Sequence, residues 1–122
     1  MNRTKLSRKG KSKISILQKK CDKKIQEQGR LKYDRCEVCN NPMSCLHHFF
    51  PKSISAVLRY DWMNLIFICN GCHMRHHQAG DPRIHATIIR RRGQKWYNQL
   101  LKKKEKTIKT NVKYYEDILN GL

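Results

Sequence analysis

Thirteen consecutive residues combine a short apolar run, a pair of cysteines and a cluster of histidines: Leu65-Ile66-Phe67-Ile68-Cys69-Asn70-Gly71-Cys72-His73-Met74-Arg75-His76-His77. Upstream, the chain carries a second cysteine pair, Cys36-Glu37-Val38-Cys39, and two adjacent histidines, His47 and His48. Two Cys-x-x-Cys pairs on one chain are typical of a tetrathiolate zinc site. Such a site does not need the neighbouring histidines, so these point to a second function.

The spacing Cys-x₂-Cys-x₂₉-Cys-x₂-Cys predicts a structural zinc ion bound by Cys36, Cys39, Cys69 and Cys72. The insert is longer than the roughly 15–20 residues of a plain zinc ribbon, which leaves room for a strand and a functional loop. The other two cysteines are interpreted as packing residues, because Cys21 lies on the apolar stripe of a predicted helix and Cys45 belongs to no pair.

Charge is distributed unevenly along the 122 residues. The net charge is +18, from 27 Lys and Arg against 9 Asp and Glu. Residues 1–32 carry twelve basic side chains and two acids, residues 33–74 carry three of each, and residues 75–122 carry twelve basic side chains and four acids. A neutral centre between two basic flanks predicts a polyanionic partner that is held by the flanks and presented to the centre.

The chain has no segment typical of a signal peptide or a membrane span. We therefore expect a cytoplasmic protein with no membrane partner, whose cysteines are reduced thiols or metal ligands. The length favours one domain, or a small core with extended arms.

Apolar periodicity and turn residues predict an α+β fold in four segments. These are a disordered basic arm (1–12), a basic N-terminal helix (13–32) that stops near Gly29, a core with the zinc knuckles (33–79), and basic C-terminal helices (80–122). In the core, the expected order is a strand over Cys45–Phe50, a loop, a strand over Leu65–Cys69 and a helix from Cys72 or His73. Asp81 is the expected N-cap of the next helix, and Gly93 its end.

The histidines allow a metal site besides the cysteines. His73 and His77 are four residues apart, so on a helix they share one face and can bind one ion. His47 and His48 are adjacent on a strand, so their side chains point to opposite faces or diverge at an edge. One of them can then hold the ion while the other faces a substrate.

His47-His48, then Asn64, then Cys72-His73-Met74-Arg75-His76-His77 resembles the HNH nuclease motif, a ββα-metal fold, in its variant framed by two Cys-x-x-Cys pairs. The resemblance covers residues 36–77. It implies that His48 is the general base, that Asn64 holds the loop and orients His48, and that His47, His73 and His77 bind a catalytic ion. His76 is the alternative to His77. Many members of the family carry Asp at the position of His47.

Two further stretches, Leu58-Arg59-Tyr60-Asp61-Trp62-Met63-Asn64 and Arg92-Gly93-Gln94-Lys95-Trp96, resemble phage recombination proteins of the NinG type. Together these resemblances imply an endonuclease of phage or mobile-element type that hydrolyses DNA with a divalent ion: Mn²⁺, Mg²⁺, Zn²⁺, Ni²⁺ or Co²⁺. The basic side chains expected to contact DNA are Arg59, Arg75, Arg90, Arg91, Arg92 and Lys95. The alternative is a non-catalytic zinc module that binds nucleic acid, which explains the cysteines and the charge but gives the histidines no role.

Overall fold

A computed structural model describes the backbone of residues 2–77 and 81–122 and the side chains of residues 13–76 and 81–122. Within these residues the chain forms five α-helices and one two-stranded antiparallel sheet. In chain order the elements are α1 (Asn2–Lys32), β1 (Cys45–His48), a 3₁₀ helix (Trp62–Asn64), β2 (Leu65–Ile68), α2 (Asn70–His77), α3 (Pro82–Arg92), α4 (Gln94–Lys104) and α5 (Val112–Gly121). The predicted mixture of helices and strands is confirmed.

The sheet has a register in which Cys45 pairs with Ile68 and His48 pairs with Leu65. β2 is apolar throughout because neither of its faces is left to solvent, and Ile66 and Ile68 are completely buried. In β1 only Leu46 is buried. Both strands are shorter than predicted, and the pairing ends where the Phe49 N–H donates to the Asn64 carbonyl.

The helices that follow the sheet begin and end at residues with recognisable capping chemistry. α3 begins as predicted, because the Asp81 carboxylate accepts the Arg83 N–H and Pro82 takes the first helical position. It ends as predicted at Gly93, whose φ of 103° favours a residue without a Cβ. α2 begins at Asn70, slightly earlier than expected, so that Cys72 lies in its first turn.

The chain divides into two units, Gly29–Ile108 and Met1–Gln28 with Lys109–Leu122. The predicted segments divide it differently, since α3 and α4 belong to the unit of the sheet and α5 to the unit of α1. The predicted boundary between residues 79 and 80 lies outside the described residues. The core of the Gly29–Ile108 unit consists of Cys36, Phe49, Leu58, Ile66, Ile68, Cys72, Ile84, Ile88 and Leu100.

In the other unit, α1 and α5 meet around Cys21 and Tyr115, which are both buried. The Gln18 amide donates to the Tyr115 hydroxyl at 2.7 Å, and the Lys24 ammonium donates to the Leu119 carbonyl at 3.1 Å. Cys21 is thus a packing residue, as predicted.

Helix α1 begins earlier than the sequence analysis predicts, and it continues past the predicted stop near Gly29 to Lys32, where the predicted segment 13–32 ends. Its backbone is helical from Asn2, whereas residues 1–12 were assigned to a disordered arm; Lys and Arg are good helix formers and do not interrupt a helix. The predicted stop at Gly29 is wrong, since the helix continues to Lys32. Gly29 instead makes room for a close contact, because a Cβ there would overlap the Leu46 side chain.

Candidate metal centre and histidine site

The four predicted cysteines converge. The Sγ atoms of Cys36, Cys39, Cys69 and Cys72 all lie within 4.8 Å of one another, and those of Cys39 and Cys69 are 3.5 Å apart. A tetrahedral zinc ion with Zn–S bonds of about 2.3 Å requires sulfur atoms roughly 3.8 Å apart, so the arrangement fits. These residues could hold a metal ion such as zinc, and in this respect the prediction is confirmed.

Local turns bring each cysteine pair together. In the first pair, the Cys36 N–H donates to the Asn41 carbonyl at 2.7 Å, and Asn40 takes a left-handed conformation with φ of 66°. The second pair spans the start of α2, where the His73 N–H donates to the Cys69 carbonyl at 2.9 Å. Each turn therefore directs two sulfur atoms to the same point.

The electrostatics of the cluster favour a cation. Burial raises the pKa of Cys72 to about 12. Burial would also raise the pKa of Cys69, but hydrogen bonds from the Cys72 backbone and the neighbouring thiols lower it to about 7. Ionisation is thus favoured at Cys69 by its hydrogen bonds and opposed at Cys72 by burial. A divalent ion would remove that opposition.

Arg75 borders the cluster, where its Nη2 donates to Cys72 Sγ at 3.1 Å. This contact raises the pKa of the Arg75 guanidinium, because the charged form is the better donor to sulfur. Arg75 was predicted as a DNA contact, and its position on the surface beside the sulfur atoms gives it a role toward the cluster as well.

Glu37, between the cysteines of the first pair, is joined to Arg92 at the end of α3. Arg92 Nε and Nη2 each donate to a Glu37 carboxylate oxygen at 2.8 Å. The Arg92 guanidinium also donates to the carbonyls of Met63 and Leu65, and the Glu37 carboxylate accepts the Phe67 N–H. The guanidinium of Arg92 is therefore engaged inside the fold rather than offered to DNA as predicted. Sequence reasoning missed Glu37.

His47 and His73 meet across β1 and α2. Their rings stack with centroids 3.6 Å apart and planes 15° from parallel. A ring nitrogen binds a metal in the plane of its own ring, so one ring must turn before both can bind one ion. The backbone of His77 ends α2, but its side chain lies outside the described residues. The alternative residue, His76, contacts the His85 ring with centroids 4.5 Å apart.

His48 lies on the other face of β1 and contacts the loop before the 3₁₀ helix. Its Nε2 is 2.9 Å from the Arg59 carbonyl oxygen. A carbonyl oxygen can only accept, so Nε2 carries the proton, and a neutral imidazole then has its acceptor lone pair on Nδ1. The contact thereby determines which nitrogen of His48 can take a proton.

Asn64 is fully buried and joins the two ends of that loop. Its Oδ1 accepts the Phe50 N–H at 2.8 Å, and its Nδ2 donates to the carbonyls of Phe50 and Leu58 at 3.0 and 3.1 Å. These contacts are those expected of a residue that holds the loop. Since Arg59 follows Leu58 directly, Asn64 also sets the position of the carbonyl that His48 contacts.

Cys45, which the sequence analysis interprets as a packing residue, lies beside His47. The structure places its half-buried Sγ 3.2 Å from Nε2 of His47. The available sequence signal was the two-residue spacing, because alternate residues of a strand share one face.

The remaining predicted DNA contacts lie at the surface or close to it. Arg90 and Arg91 are exposed near the end of α3, and Lys95 is exposed in the first turn of α4. Arg59 is half-buried, with its guanidinium carbon 5.6 Å from the centroid of the Tyr60 ring. The structure thus leaves three basic side chains exposed around the junction of α3 and α4.

Comparison with known proteins gives no family for the chain. No family model matches the sequence, no curated protein matches it, and no solved structure matches the fold. Among the residues that the structure describes, no helix is long and apolar enough to cross a bilayer.

Proposed function

We propose that this protein is a metal-dependent DNA endonuclease of the HNH type, stabilised by one zinc ion on Cys36, Cys39, Cys69 and Cys72. One observation carries the proposal: β1 presents His47 and His48 on opposite faces, with His47 stacked on His73 of α2 and His48 hydrogen-bonded to the Arg59 carbonyl. This arrangement supports two different roles, His47 as a metal ligand and His48 as a base, on a strand pair and a helix that also carry cysteines of the cluster.

In the proposed reaction His48 is the general base. Its Nδ1 takes a proton from a water molecule, which then attacks phosphorus in line with the leaving oxygen. The hydrogen bond from Nε2 to the Arg59 carbonyl stabilises the imidazolium that results, since a charged donor forms the stronger bond. The resemblance to the HNH family implies 5′-phosphate and 3′-hydroxyl ends.

His47 and His73 are the described residues that would hold the catalytic ion, with His77 as the third ligand implied by the resemblance. Imidazole nitrogen suits divalent transition metals such as Mn²⁺, Co²⁺, Ni²⁺ and Zn²⁺ better than it suits Mg²⁺. An ion bound there would neutralise negative charge that develops on the phosphate and the leaving oxygen. Turning one ring out of the stack is the rearrangement that binding requires.

The test is cleavage of plasmid DNA with each of these ions by the wild type, His48→Ala and His48→Gln. The glutamine amide can still donate to the Arg59 carbonyl but cannot act as a base. We expect both variants to lose at least about a hundredfold in rate, a typical contribution of general base catalysis, and to keep DNA binding. An active His48→Gln protein would show that His48 only holds the loop.

A non-catalytic zinc module that binds nucleic acid is the second candidate, favoured by the cysteine cluster and by the exposed side chains of Arg90, Arg91 and Lys95. Of these three, Arg91 also donates to the Glu37 carbonyl, between the cysteines of the first pair. The same experiment separates the two functions. A wild-type protein that binds DNA, retains its zinc and cleaves nothing with any of the ions is such a module.

A further inference from the structure

An open cavity of about 310 Å³ lies between the loop that precedes the 3₁₀ helix and the end of α4, and the proposed reaction does not use it. Its lining includes basic, acidic, apolar and hydroxyl side chains: Ile54, Ser55, Lys104, Glu105, Lys106 and Ile108. We propose that this cavity binds one unpaired nucleotide of the DNA, with the phosphate at the lysines and the base against the isoleucines. The inference rests on the proposed action on DNA and adds the form of DNA that the protein prefers.

Both walls of the cavity are held by backbone hydrogen bonds. In the loop, the Ile54 N–H donates to the Pro51 carbonyl at 2.9 Å, and after α4 the Lys106 N–H donates to the Lys103 carbonyl at 3.1 Å. An ion pair joins the two segments, because the Lys103 ammonium lies 2.7 Å from a carboxylate oxygen of Asp61 at the end of the loop. The cavity is therefore formed by two segments whose backbones are fixed and connected.

The charge of the lining favours a phosphate. Lys104 and Lys106 supply two ammonium groups against the single carboxylate of Glu105, so the lining has a net positive charge. Lys104 is held towards the loop, since its Nζ lies 4.9 Å from the centroid of the Phe50 ring. A phosphate occurs in every form of DNA, so these contacts explain affinity but not a preference among forms.

The apolar part of the lining distinguishes a nucleotide from a bare phosphate. Ile54 is 58% exposed and Ile108 is 43% exposed. A phosphate would leave both side chains in water, whereas the flat face of a base would cover them. In a paired duplex the faces of each base are stacked on neighbouring bases, so only an unpaired base offers one. The volume is at the lower end of the roughly 300–1,000 Å³ of ligand sites, which suits a single nucleotide.

Ser55 supplies a hydrogen-bonding group that the fold does not use. The residue lines the cavity and is 6% exposed, and its Oγ has no hydrogen-bond partner among the described residues. Buried polar groups are nearly always paired, so this hydroxyl requires an explanation. A rotation about the Cα–Cβ bond towards the cavity would let it donate to a phosphate oxygen. We therefore assign Ser55 to the phosphate together with the two lysines.

The test is DNA binding by the full chain, measured by fluorescence anisotropy without an added divalent ion. Three labelled duplexes are compared: one fully paired, one with a single unpaired thymidine, and one with an abasic sugar in its place. We expect the wild type to bind the unpaired thymidine at least about fivefold more tightly than the other two, the lower end of what one base stacked on a protein side chain contributes. The abasic duplex has the same extra backbone unit but no base. Equal affinity for the thymidine and the abasic duplex overturns the proposal.

Two exposed isoleucines provide the first variants. Ile54→Ser and Ile108→Ser should each reduce the preference for the unpaired thymidine, and the double variant should abolish it without changing the affinity for the paired duplex. Leu31→Ser is the matched control, because Leu31 is 82% exposed and lies outside the lining of the cavity. A double variant that keeps the wild-type preference contradicts the placement of the base.

The phosphate contacts are tested by salt dependence and by stability. Lys106→Ala should reduce the slope of the logarithm of affinity against the logarithm of salt concentration by about 0.7 for the unpaired thymidine and leave it unchanged for the paired duplex. An equal reduction on both would place that phosphate outside the cavity. Ser55→Ala should weaken binding of the unpaired thymidine without lowering the free energy of unfolding, since the hydroxyl has no partner in the described part of the chain. Ser53→Ala, at an exposed position of the same loop, is its control.

The failure of this inference and the failure of the proposed nuclease are distinguishable. A wild type that prefers the unpaired thymidine, and loses the preference with the two isoleucines, supports the cavity even if it cleaves no DNA with any ion. A wild type that cleaves plasmid DNA but binds all three duplexes equally keeps the nuclease and overturns the cavity.

Discussion

At the scale of single residues, the loop between β1 and β2 depends on Asn64. Its three hydrogen bonds reach backbone groups of Phe50 and Leu58, and the side chain is fully buried. No other side chain of similar size offers both an acceptor and two donors from one planar group, which is why an amide is required at this point.

We expect Asn64→Ala to lower the free energy of unfolding by at least about 2 kcal/mol, because it leaves several buried backbone groups without partners. Asn64→Asp is of equal size but turns two donations into repulsion between oxygens, so it should destabilise the protein as well. Denaturant unfolding measures both. Asn98→Ala, at an exposed amide on α4, is the control and should change little. A stable Asn64→Ala protein would mean that the loop is held by other contacts.

The acid sensitivity of the proposed zinc site also belongs to single residues. Zinc binds thiolate and not thiol, so binding releases protons and acidification releases the metal. The raised pKa of Cys72, about 12, shows that its proton is held firmly, while Arg75 opposes this by donating to the sulfur. Removing Arg75 should therefore make Cys72 harder to deprotonate.

Arg75→Ala is accordingly expected to release zinc at a higher pH than the wild type. A chromophoric chelator that reports free zinc during an acid titration measures the shift. Arg90→Ala removes an equally exposed arginine of α3 and serves as the control. Identical release curves for Arg75→Ala and wild type would show that Arg75 does not stabilise the bound thiolate.

At the scale of elements, Glu37 and Arg92 join the first cysteine pair to α3 and, through Phe67 and Leu65, to β2. The side chain of Glu37 is 7% exposed and that of Arg92 is 19% exposed, so the ion pair is largely shielded from water. Removing one partner of a buried pair leaves an uncompensated charge, which commonly costs about 3–5 kcal/mol.

Arg92→Ala and Glu37→Ala should therefore each destabilise the protein by up to about 3–5 kcal/mol, and the double variant should cost less than their sum. Arg92→Lys should rescue little, because an ammonium cannot make the paired bonds of a guanidinium. A double-mutant cycle from denaturant unfolding measures the coupling. Lys113→Ala, at an exposed pair with Asp117, is the control. Additive single effects would show that the pair contributes no coupling.

The elements also show which parts of the structure could be predicted from the sequence. Regular spacing predicted the cysteine cluster, both strands and the limits of α3, because these depend on neighbours in the chain or on ligand geometry. The Glu37–Arg92 pair joins residues 55 positions apart, which no local pattern reports. The prediction that the helix stops at Gly29 was wrong for the same reason. The glycine is needed there because the side chain of Leu46, a residue of β1, approaches it closely. The contact between Cys45 and His47 could have been predicted, because alternate residues of a strand share one face.

At the scale of the whole molecule, the charge of +18 should govern the affinity for DNA. Each phosphate contact releases condensed counterions, so the logarithm of the binding constant should fall steeply with the logarithm of salt concentration. Arg90→Ala and Lys95→Ala should each reduce that slope by about 0.9 if the residue contacts one phosphate. Fluorescence anisotropy at several salt concentrations measures the slopes.

Arg92→Ala is expected to differ from these two variants in the salt dependence of DNA binding. Its guanidinium is engaged with Glu37, Met63 and Leu65, so a properly folded Arg92→Ala protein should keep the wild-type slope. Unchanged slopes for Arg90→Ala and Lys95→Ala would exclude the junction of α3 and α4 from the DNA interface.

The separation of the two cysteine pairs has a consequence for the nascent chain. Cys69 lies thirty residues after Cys39, so a ribosome adding about 5–20 residues per second exposes the first pair roughly two to six seconds before the second. During that interval only two thiols are available, and the ligand set is complete only once Cys72 has left the exit tunnel. Arg92, which neutralises Glu37 within the first pair, follows later still. The proposed zinc ion can therefore meet its full ligand set only after both cysteine pairs have emerged from the ribosome.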